Sequence, residues 1–209
     1  MNGFLVTFEG GEGCGKSTQI KKLSQFLEQE KIPFIVSREP GGTEVGEKIR
    51  DILLNMKAEM SSTVEFLLFS ASRADHIEKV VKPALESGKI VLLDRFYDSS
   101  FVYQGYAGDL NLKDIQNVTE LAVKDVKPNL TFLLDLDYEA GMLRKSKDDK
   151  LKNLDRIEQK GESYHKKVRD GYLKLAEQNS DRIVVIDASK TPDEIFEEIK
   201  NKFLECIKK

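Results

Sequence analysis

The sequence predicts an α/β fold with a doubly wound, five-stranded parallel sheet over residues 1–209, and three observations carry that expectation. Short apolar runs alternate with amphipathic helical stretches, the pattern of a parallel sheet covered on both faces. The first run leads straight into a glycine-rich turn and then a helix, which is a strand, loop and helix unit. The third run ends in a carboxylate, Asp94, at the carboxyl edge where such sheets collect their ligands.

Taken in order, the predicted strands are Phe4–Phe8, Phe34–Val36, Ile90–Leu93, Thr131–Leu134 and Ile183–Ile186. Each is bounded by polar or turn residues and is too short for a core helix. Helical spacing appears at Ile20, Leu23, Phe26 and Leu27, and at Val64, Leu67, Leu68 and Ala71. It recurs at Leu112, Ile115, Val118, Leu121 and Ala122, and at Ile195, Phe196, Ile199, Phe203 and Ile207. Thr191-Pro192-Asp193-Glu194 reads as a helix start with a cap, a proline and early acids, and Gly88 as a helix stop. The run Arg144–Lys152 is nearly all charged and lacks apolar periodicity, so it reads as a basic surface segment.

The charge balance excludes several function classes. Lys and Arg number 33 against 36 Asp and Glu, a formal charge of -3, so no global basic field exists to hold nucleic acid. No apolar run approaches the ~18 residues a membrane helix needs, and the start Met-Asn-Gly-Phe-Leu lacks a basic, cleavable leader. A cytoplasmic protein is expected. Cys14 and Cys206 lie too far apart in sequence to suggest a disulfide framework or a CxxC motif.

Gly10-Gly11-Glu12-Gly13-Cys14-Gly15-Lys16-Ser17 matches G-x-x-x-x-G-K-[ST], directly after one strand and before one helix. Backbone N–H groups of such a loop face an anion, and the helix adds the positive end of its dipole. Lys16 is expected on the β- and γ-phosphates of a nucleotide, and the Ser17 hydroxyl on Mg²⁺. Asp94 has the layout of a second metal-orienting group. Cys14 reads as small buried filler, at a helix start where a thiol is also activated. At this point switch GTPases, ATPase motors and small-molecule kinases all remain open.

Successive helical residues turn by about 100°, which puts Phe69 and Arg73 on one face, away from the Val64, Leu67, Leu68 and Ala71 stripe. A ring beside a guanidinium stacks a base and donates to its carbonyl. Arg38-Glu39-Pro40-Gly41-Gly42-Thr43 follows the second strand, and Asp94-Arg95-Phe96-Tyr97-Asp98-Ser99-Ser100 with Tyr103-Gln104-Gly105 follows the third. These segments read as a recognition surface for a small polar ligand. No Asn-Lys-x-Asp guanine-reading sequence is present, which argues against a switch GTPase.

Six ordered segments carry a resemblance along the chain: Phe8–Gln19, Arg38–Thr43, Phe69 with Arg73, Asp94–Phe96, Tyr103–Gly105 and Leu154–Glu158. The chain resembles thymidylate kinase, the family that converts dTMP to dTDP with ATP and Mg²⁺. The resemblance implies a P-loop kinase fold in which Gly10–Thr18 binds ATP. It implies that Phe69 stacks on thymine, that Arg73, Ser100 and Gln104 meet its edge, and that Arg38 and Arg95 hold the acceptor phosphate. Tyr103 would crowd the ribose 2′ position and Glu12 would face the acceptor sugar and phosphate.

The loop positions Gly11, Glu12, Gly13 and Cys14 carry no cation. The resemblance then implies that a lid over residues 144–156 supplies the catalytic charge, with Arg156 as the main cation and Arg144 or Lys152 assisting. Another nucleotide or nucleoside kinase is the alternative. Relatives form homodimers, and the apolar residues of Val64–Leu85 would supply such an interface.

Overall fold

A computed structural model describes residues 3–56, 59–147 and 155–207. Five parallel strands, β1 (Phe4–Gly10), β2 (Phe34–Arg38), β3 (Ile90–Asp94), β4 (Leu130–Asp135) and β5 (Ile183–Asp187), form one sheet in the order β2-β3-β1-β4-β5. β1 is central: Phe4 to Phe8 pair with Ile90 to Asp94 on one side, and Val6 to Gly10 with Leu130 to Leu134 on the other. The carboxyl ends of β1 and β3 therefore meet, which brings the loop after Gly10 beside Asp94 and Arg95.

Both faces are covered. Helices α1 (Lys16–Gln29) and α9 (Pro192–Ile207) bury Ile20, Leu23, Leu27, Ile195, Ile199 and Phe203 against Val6, Phe8, Phe132 and Leu134. The opposite face packs Leu5, Val91 and Leu93 against Ile77, Val81, Val123 and Val126. The expected α9 start is a reciprocal capping box: Thr191 N donates to Glu194 Oε2 at 3.0 Å, and Glu194 N donates to Thr191 Oγ1 at 3.4 Å.

Between β2 and β3 lie α2 (Glu44–Asn55), α3 (Ser62–His76), a π-helical turn Ile77–Val81 and α4 (Lys82–Glu86). Gly88 follows α4 at φ 75°, the expected stop. After β3 come α5 (Tyr97–Ser100), a π-helical turn Phe101–Tyr106 and α6 (Leu112–Val123). After β4 come α7 (Tyr138–Lys147), a 3₁₀ turn Glu158–Lys160 and α8 (Glu162–Gln178). Among the described residues no helix is long and apolar enough to cross a membrane.

Two expectations are corrected here. The stripe on α3 faces outward, with Val64 47% and Leu67 50% exposed, while Glu65, Phe66, Ser70, Ser72, Arg73 and His76 are buried. Polar groups take the inner face because each meets a partner there, so burial follows pairing rather than hydropathy. The charged segment from Arg144 begins as helix, since α7 runs to Lys147. Residues 148–154, including Lys152 and Leu154, lie outside the described residues.

Candidate active site

β1 delivers the chain to Gly10 and α1 begins at Lys16, so residues 11–15 turn over the helix N-terminus. Lys16 Nζ donates to the carbonyls of Gly10 (3.2 Å) and Gly11 (3.0 Å). It thus spans the loop from inside, where its charge faces any bound phosphate. Ser17 Oγ donates to Asp94 Oδ2 at 3.4 Å, which unites the two expected metal-binding oxygens. Cys14 is 1% exposed and belongs to the core under the loop, the filler role. Gly13 has φ 70°, and a Cβ there would collide with the backbone of Gly141 on α7. Without a side chain, the loop seats directly against that helix.

A cavity of about 540 Å³ opens over this loop. Its walls bring together Glu12, Gly13, Cys14, Gly15, Lys16, Ser17 and Thr18 with Arg38, Phe69, Asp94, Arg95, Ser100, Tyr103, Gln104 and Arg144. Gly10 and Gly11 sit beneath as the carbonyl partners of Lys16. Arg95 occupies the centre. Its φ of 66° is left-handed, a conformation costing ~1–3 kcal/mol that surrounding contacts must hold in place. Nη1 donates to Gly10 O (3.1 Å) and Tyr172 Oη (3.1 Å), and Nη2 to Glu12 Oε1 (2.6 Å). The guanidinium also lies 5.1 Å over the Tyr103 ring.

Charge at this site is organised for an anion. Burial alone would raise Glu12, but the nearby Arg95, Lys16 and Lys145 charges outweigh it and pull the carboxyl down to about 2. Arg38 projects outward and pairs with Glu47 Oε2 at 3.1 Å. Beside it Arg50 donates to Pro40 O at 2.8 Å. Burial and the Arg38 charge lower the pKa of Arg50, so two guanidiniums repel one another where an anion would relieve them.

Arg73 does not itself line the cavity but lies behind Glu39 and Ser100, which do; it is 1% exposed and its Nε donates to Glu39 Oε2 at 2.7 Å. Its Nη2 reaches Phe96 O (3.3 Å) and Ser100 Oγ (3.2 Å), while Nη1 has no partner. The Tyr103 hydroxyl also has none. Orphaned buried donors are what a site needs when its acceptor arrives with the ligand. Gly42, at φ 81°, holds this corner: a Cβ there would lie 2.6 Å from the His76 ring, whose Nδ1 contacts Glu39 Oε1 at 3.2 Å.

Beneath Arg95 lies Glu9, which accepts from Phe96 N (2.7 Å), Ser99 Oγ (2.6 Å) and Tyr172 Oη (2.7 Å). Burial, reinforced by the Asp98 charge, lifts Glu9 from 4.5 to about 7 against the pull of Arg95. The folded state therefore binds this proton more tightly than the unfolded chain, and the stability it contributes is lost as pH rises from 4.5 through 7. Glu12, held at about 2, acts oppositely and loses its contribution as pH falls below 4.5. In thermal melts, the midpoint of a Glu9→Gln variant minus that of wild type is expected to increase across the Glu9 window. A constant difference would contradict the assignment.

The structure does not bring Arg156 to the cavity wall. Its Nη2 donates to Glu65 Oε2 at 2.6 Å and its Nε to Leu53 O at 3.0 Å. From α7, Arg144 and Lys145 line the cavity instead. Lys145 pairs with Glu158 and lies 3.8 Å from Glu12. Sequence reasoning assigned no role to Arg50, Lys145, Glu158, Glu9 or Tyr172. A signal existed for Glu158 and Glu9, which sit inside matched segments, and for Tyr172, which lies four residues after Val168 on a buried helix face. Lys145 lies in the basic run that begins at Arg144, which marks the segment but not the residue, and Arg50 is a charge among many that carries none.

The sequence profile of the family described as Thymidylate kinase matches residues 8–199. The Maridesulfovibrio salexigens "Thymidylate kinase" is 47% identical over 209 residues, covering 98% of this chain and 96% of that protein. The protein of the same name from Halothermothrix orenii is 43% identical over 207 residues, with 99% of both covered. The crystal structure of thymidylate kinase from Ehrlichia chaffeensis superposes with a TM-score of 0.77 at 31% identity, covering 97% of this chain and 99% of that one. The matches in sequence and in fold extend over nearly the whole chain, and the chain belongs to the thymidylate kinase family.

Proposed function

We propose that this chain transfers the γ-phosphate of ATP to dTMP, giving ADP and dTDP, with residues 1–209 acting as one cytoplasmic kinase domain. The observation that carries the reading is that a single cavity joins the phosphate loop to Arg38, Phe69, Arg95 and Tyr103. Donor and acceptor phosphates are then held in line across Lys16 and Arg95, and for a loose transition state positioning and charge supply most of the rate.

ATP takes Gly10–Thr18, its phosphates meeting the backbone N–H groups and Lys16. The hydroxyl of Ser17 and the carboxylate of Asp94, 3.4 Å apart, are hard oxygen donors that suit Mg²⁺ and would hold it. When bound, the ion neutralises charge on the β- and γ-phosphates. Arg38 and Arg95, with Arg50, grip the acceptor phosphate through charge-assisted bonds. Glu12 stays ionised and accepts from the sugar, and Tyr103 fills the space a 2′-hydroxyl would need. Phe69 stacks on the base while Arg73, Ser100 and Gln104 meet its edge. Arg144 and Lys145 replace Arg156 as the cations nearest the transferred group, because they line the cavity and Arg156, paired with Glu65, does not.

Phe69→Ala tests the acceptor pocket. Loss of one base-stacking contact costs ~1–3 kcal/mol, so KM for dTMP is expected to rise roughly 5- to 150-fold with KM for ATP unchanged. Equal rises for both substrates would contradict the reading.

Helices α2 and α6 pack against α3 and carry exposed apolar residues of their own on the chain's surface, beside its outward stripe of Val64 and Leu67. Ile52 is 40%, Val64 47%, Leu67 50% and Leu121 79% exposed. A patch of this kind marks an association surface, and a homodimer built on it is part of the proposal. Light scattering is expected to give twice 23.7 kDa for wild type and the single-chain mass for Leu67→Glu. A monomeric wild type would refute the dimer.

A further inference from the structure

We propose that Glu65 is the positioning residue that sets selectivity for thymine over cytosine, by fixing which atom of the Gln104 side chain faces the base. The inference rests on the acceptor-pocket reading above and goes beyond it, because Glu65 itself touches no substrate.

Glu65 is 1% exposed on the inner face of α3, one turn before Phe69. Its Oε1 lies 2.8 Å from Gln104 Nε2, and its Oε2 accepts from Arg156 Nη2 at 2.6 Å. Lys160 Nζ reaches both oxygens, at 3.4 and 3.3 Å. An ionised carboxylate only accepts hydrogen bonds, whereas a carboxamide has one donating and one accepting end. The amide NH₂ must therefore turn inward to Glu65. Its carbonyl oxygen, which has no hydrogen bond from any described residue, is left for the cavity that Gln104 lines.

Ionisation is what forbids the flipped amide, because a protonated Glu65 could also donate to the Gln104 carbonyl oxygen. Burial works against ionisation, but the Gln104 hydrogen bond and the Lys160 and Arg156 charges more than offset it and hold the pKa of Glu65 below the usual value. The cations from residues 156 and 160 thus keep the carboxylate an acceptor, and the carboxylate keeps Gln104 an acceptor toward the ligand.

The base edge this pocket reads follows from the two free groups. Arg73 Nη1 offers an unpartnered buried donor and Gln104 an acceptor. Thymine presents a carbonyl O4 and an N3–H, which complement that pair. Cytosine presents an amino group and a bare N3, which oppose both. Were the Gln104 amide free to rotate, its NH₂ would serve the cytosine N3 and half of the discrimination would vanish.

The test compares kcat/KM for dTMP and for 5-methyl-dCMP, which share the methyl group and differ only at the edge, in wild type, Glu65→Gln and Lys160→Ala. A glutamine at 65 has nearly the same shape but leaves the Gln104 amide free to turn. Selectivity for dTMP is expected to fall at least about tenfold in Glu65→Gln, with KM for ATP unchanged, because the site no longer presents a fixed acceptor. Lys160→Ala removes one of the two cations, but Arg156 and the Gln104 hydrogen bond still hold Glu65 ionised at neutral pH, so it is expected to lose far less selectivity than Glu65→Gln. If Glu65→Gln is insoluble, Glu65→Asp, which keeps the charge but withdraws it by one methylene, is expected to lose selectivity in the same direction. Unchanged selectivity in the Glu65 variants, or an equal loss in Lys160→Ala, would overturn the proposal. A wild-type enzyme that turns over neither nucleotide would instead refute the acceptor-pocket reading itself.

Discussion

An Arg95→Ala enzyme is expected to lose about 10³-fold in kcat/KM for dTMP, in the range an arginine on a transferring phosphoryl group supplies. Two losses coincide. The acceptor phosphate loses a forked donor, and Glu12, 2.6 Å from that guanidinium, loses its nearest cation and keeps only the weaker contact with Lys145 at 3.8 Å while facing a dianion. KM for ATP is expected to change little, since Lys16 and the loop N–H groups remain. Arg95→Lys restores the charge but not the fork that spans Gly10, Tyr172 and Glu12, so it is expected to recover only part of the rate. Steady-state kinetics of the two variants check this, and full recovery by lysine would show that charge alone suffices.

Arg73→Ala is expected to have the largest effect on stability. Glu39 has a side chain only 3% exposed, and removal of Arg73 leaves it with His76 at 3.2 Å. Breaking a buried ion pair from one side costs ~3–5 kcal/mol. For a chain of this size that corresponds to a melting temperature lower by roughly 6–20 °C. Below the new transition, KM for dTMP is expected to rise while KM for ATP holds, because the orphaned Nη1 is lost along with the pair. A melting curve superimposable on wild type would contradict the energetic role given to the Glu39 pair.

The parts of the site that were legible in sequence are those that are local in the chain. The loop Gly10–Ser17 is contiguous, so its residues, the strand before it and the helix after it declare one another. Phe69 and Arg73 are one turn apart, and helix geometry alone places them together. The direction in which that helix faces is a different matter. Val64 and Leu67 look like a core stripe, yet the inner face goes to Glu65, Arg73 and His76. Their partners, Gln104, Arg156 and Glu39, come from distant parts of the chain, and no local pattern reveals such pairs.

Arg156 shows the same limit. Its sequence position suits a lid cation, but its ion pair with Glu65 spans 91 residues and depends on how α3 meets the turn after residue 155. Helices α2, α7 and α8 escaped notice because they are rich in charge, which breaks up their apolar spacing. On α8 the spacing of His165, Val168, Tyr172 and Leu175 is a usable helical signal, diluted by Lys and Arg between them. The sheet, by contrast, is built from short apolar runs whose parallel direction follows from alternation with helices, and all five appear where expected, although their order β2-β3-β1-β4-β5 does not follow from that pattern.

The most direct measurement is ADP formation from Mg²⁺-ATP in the presence of a panel of monophosphates: dTMP, dUMP, dCMP, dAMP and dGMP. The account predicts that dTMP is phosphorylated with a kcat/KM at least about 10²-fold above that for dCMP or either purine, a margin expected of a site with hydrogen-bonding groups matched to one base. ADP release that no monophosphate stimulates, or dCMP used as well as dTMP, would contradict it.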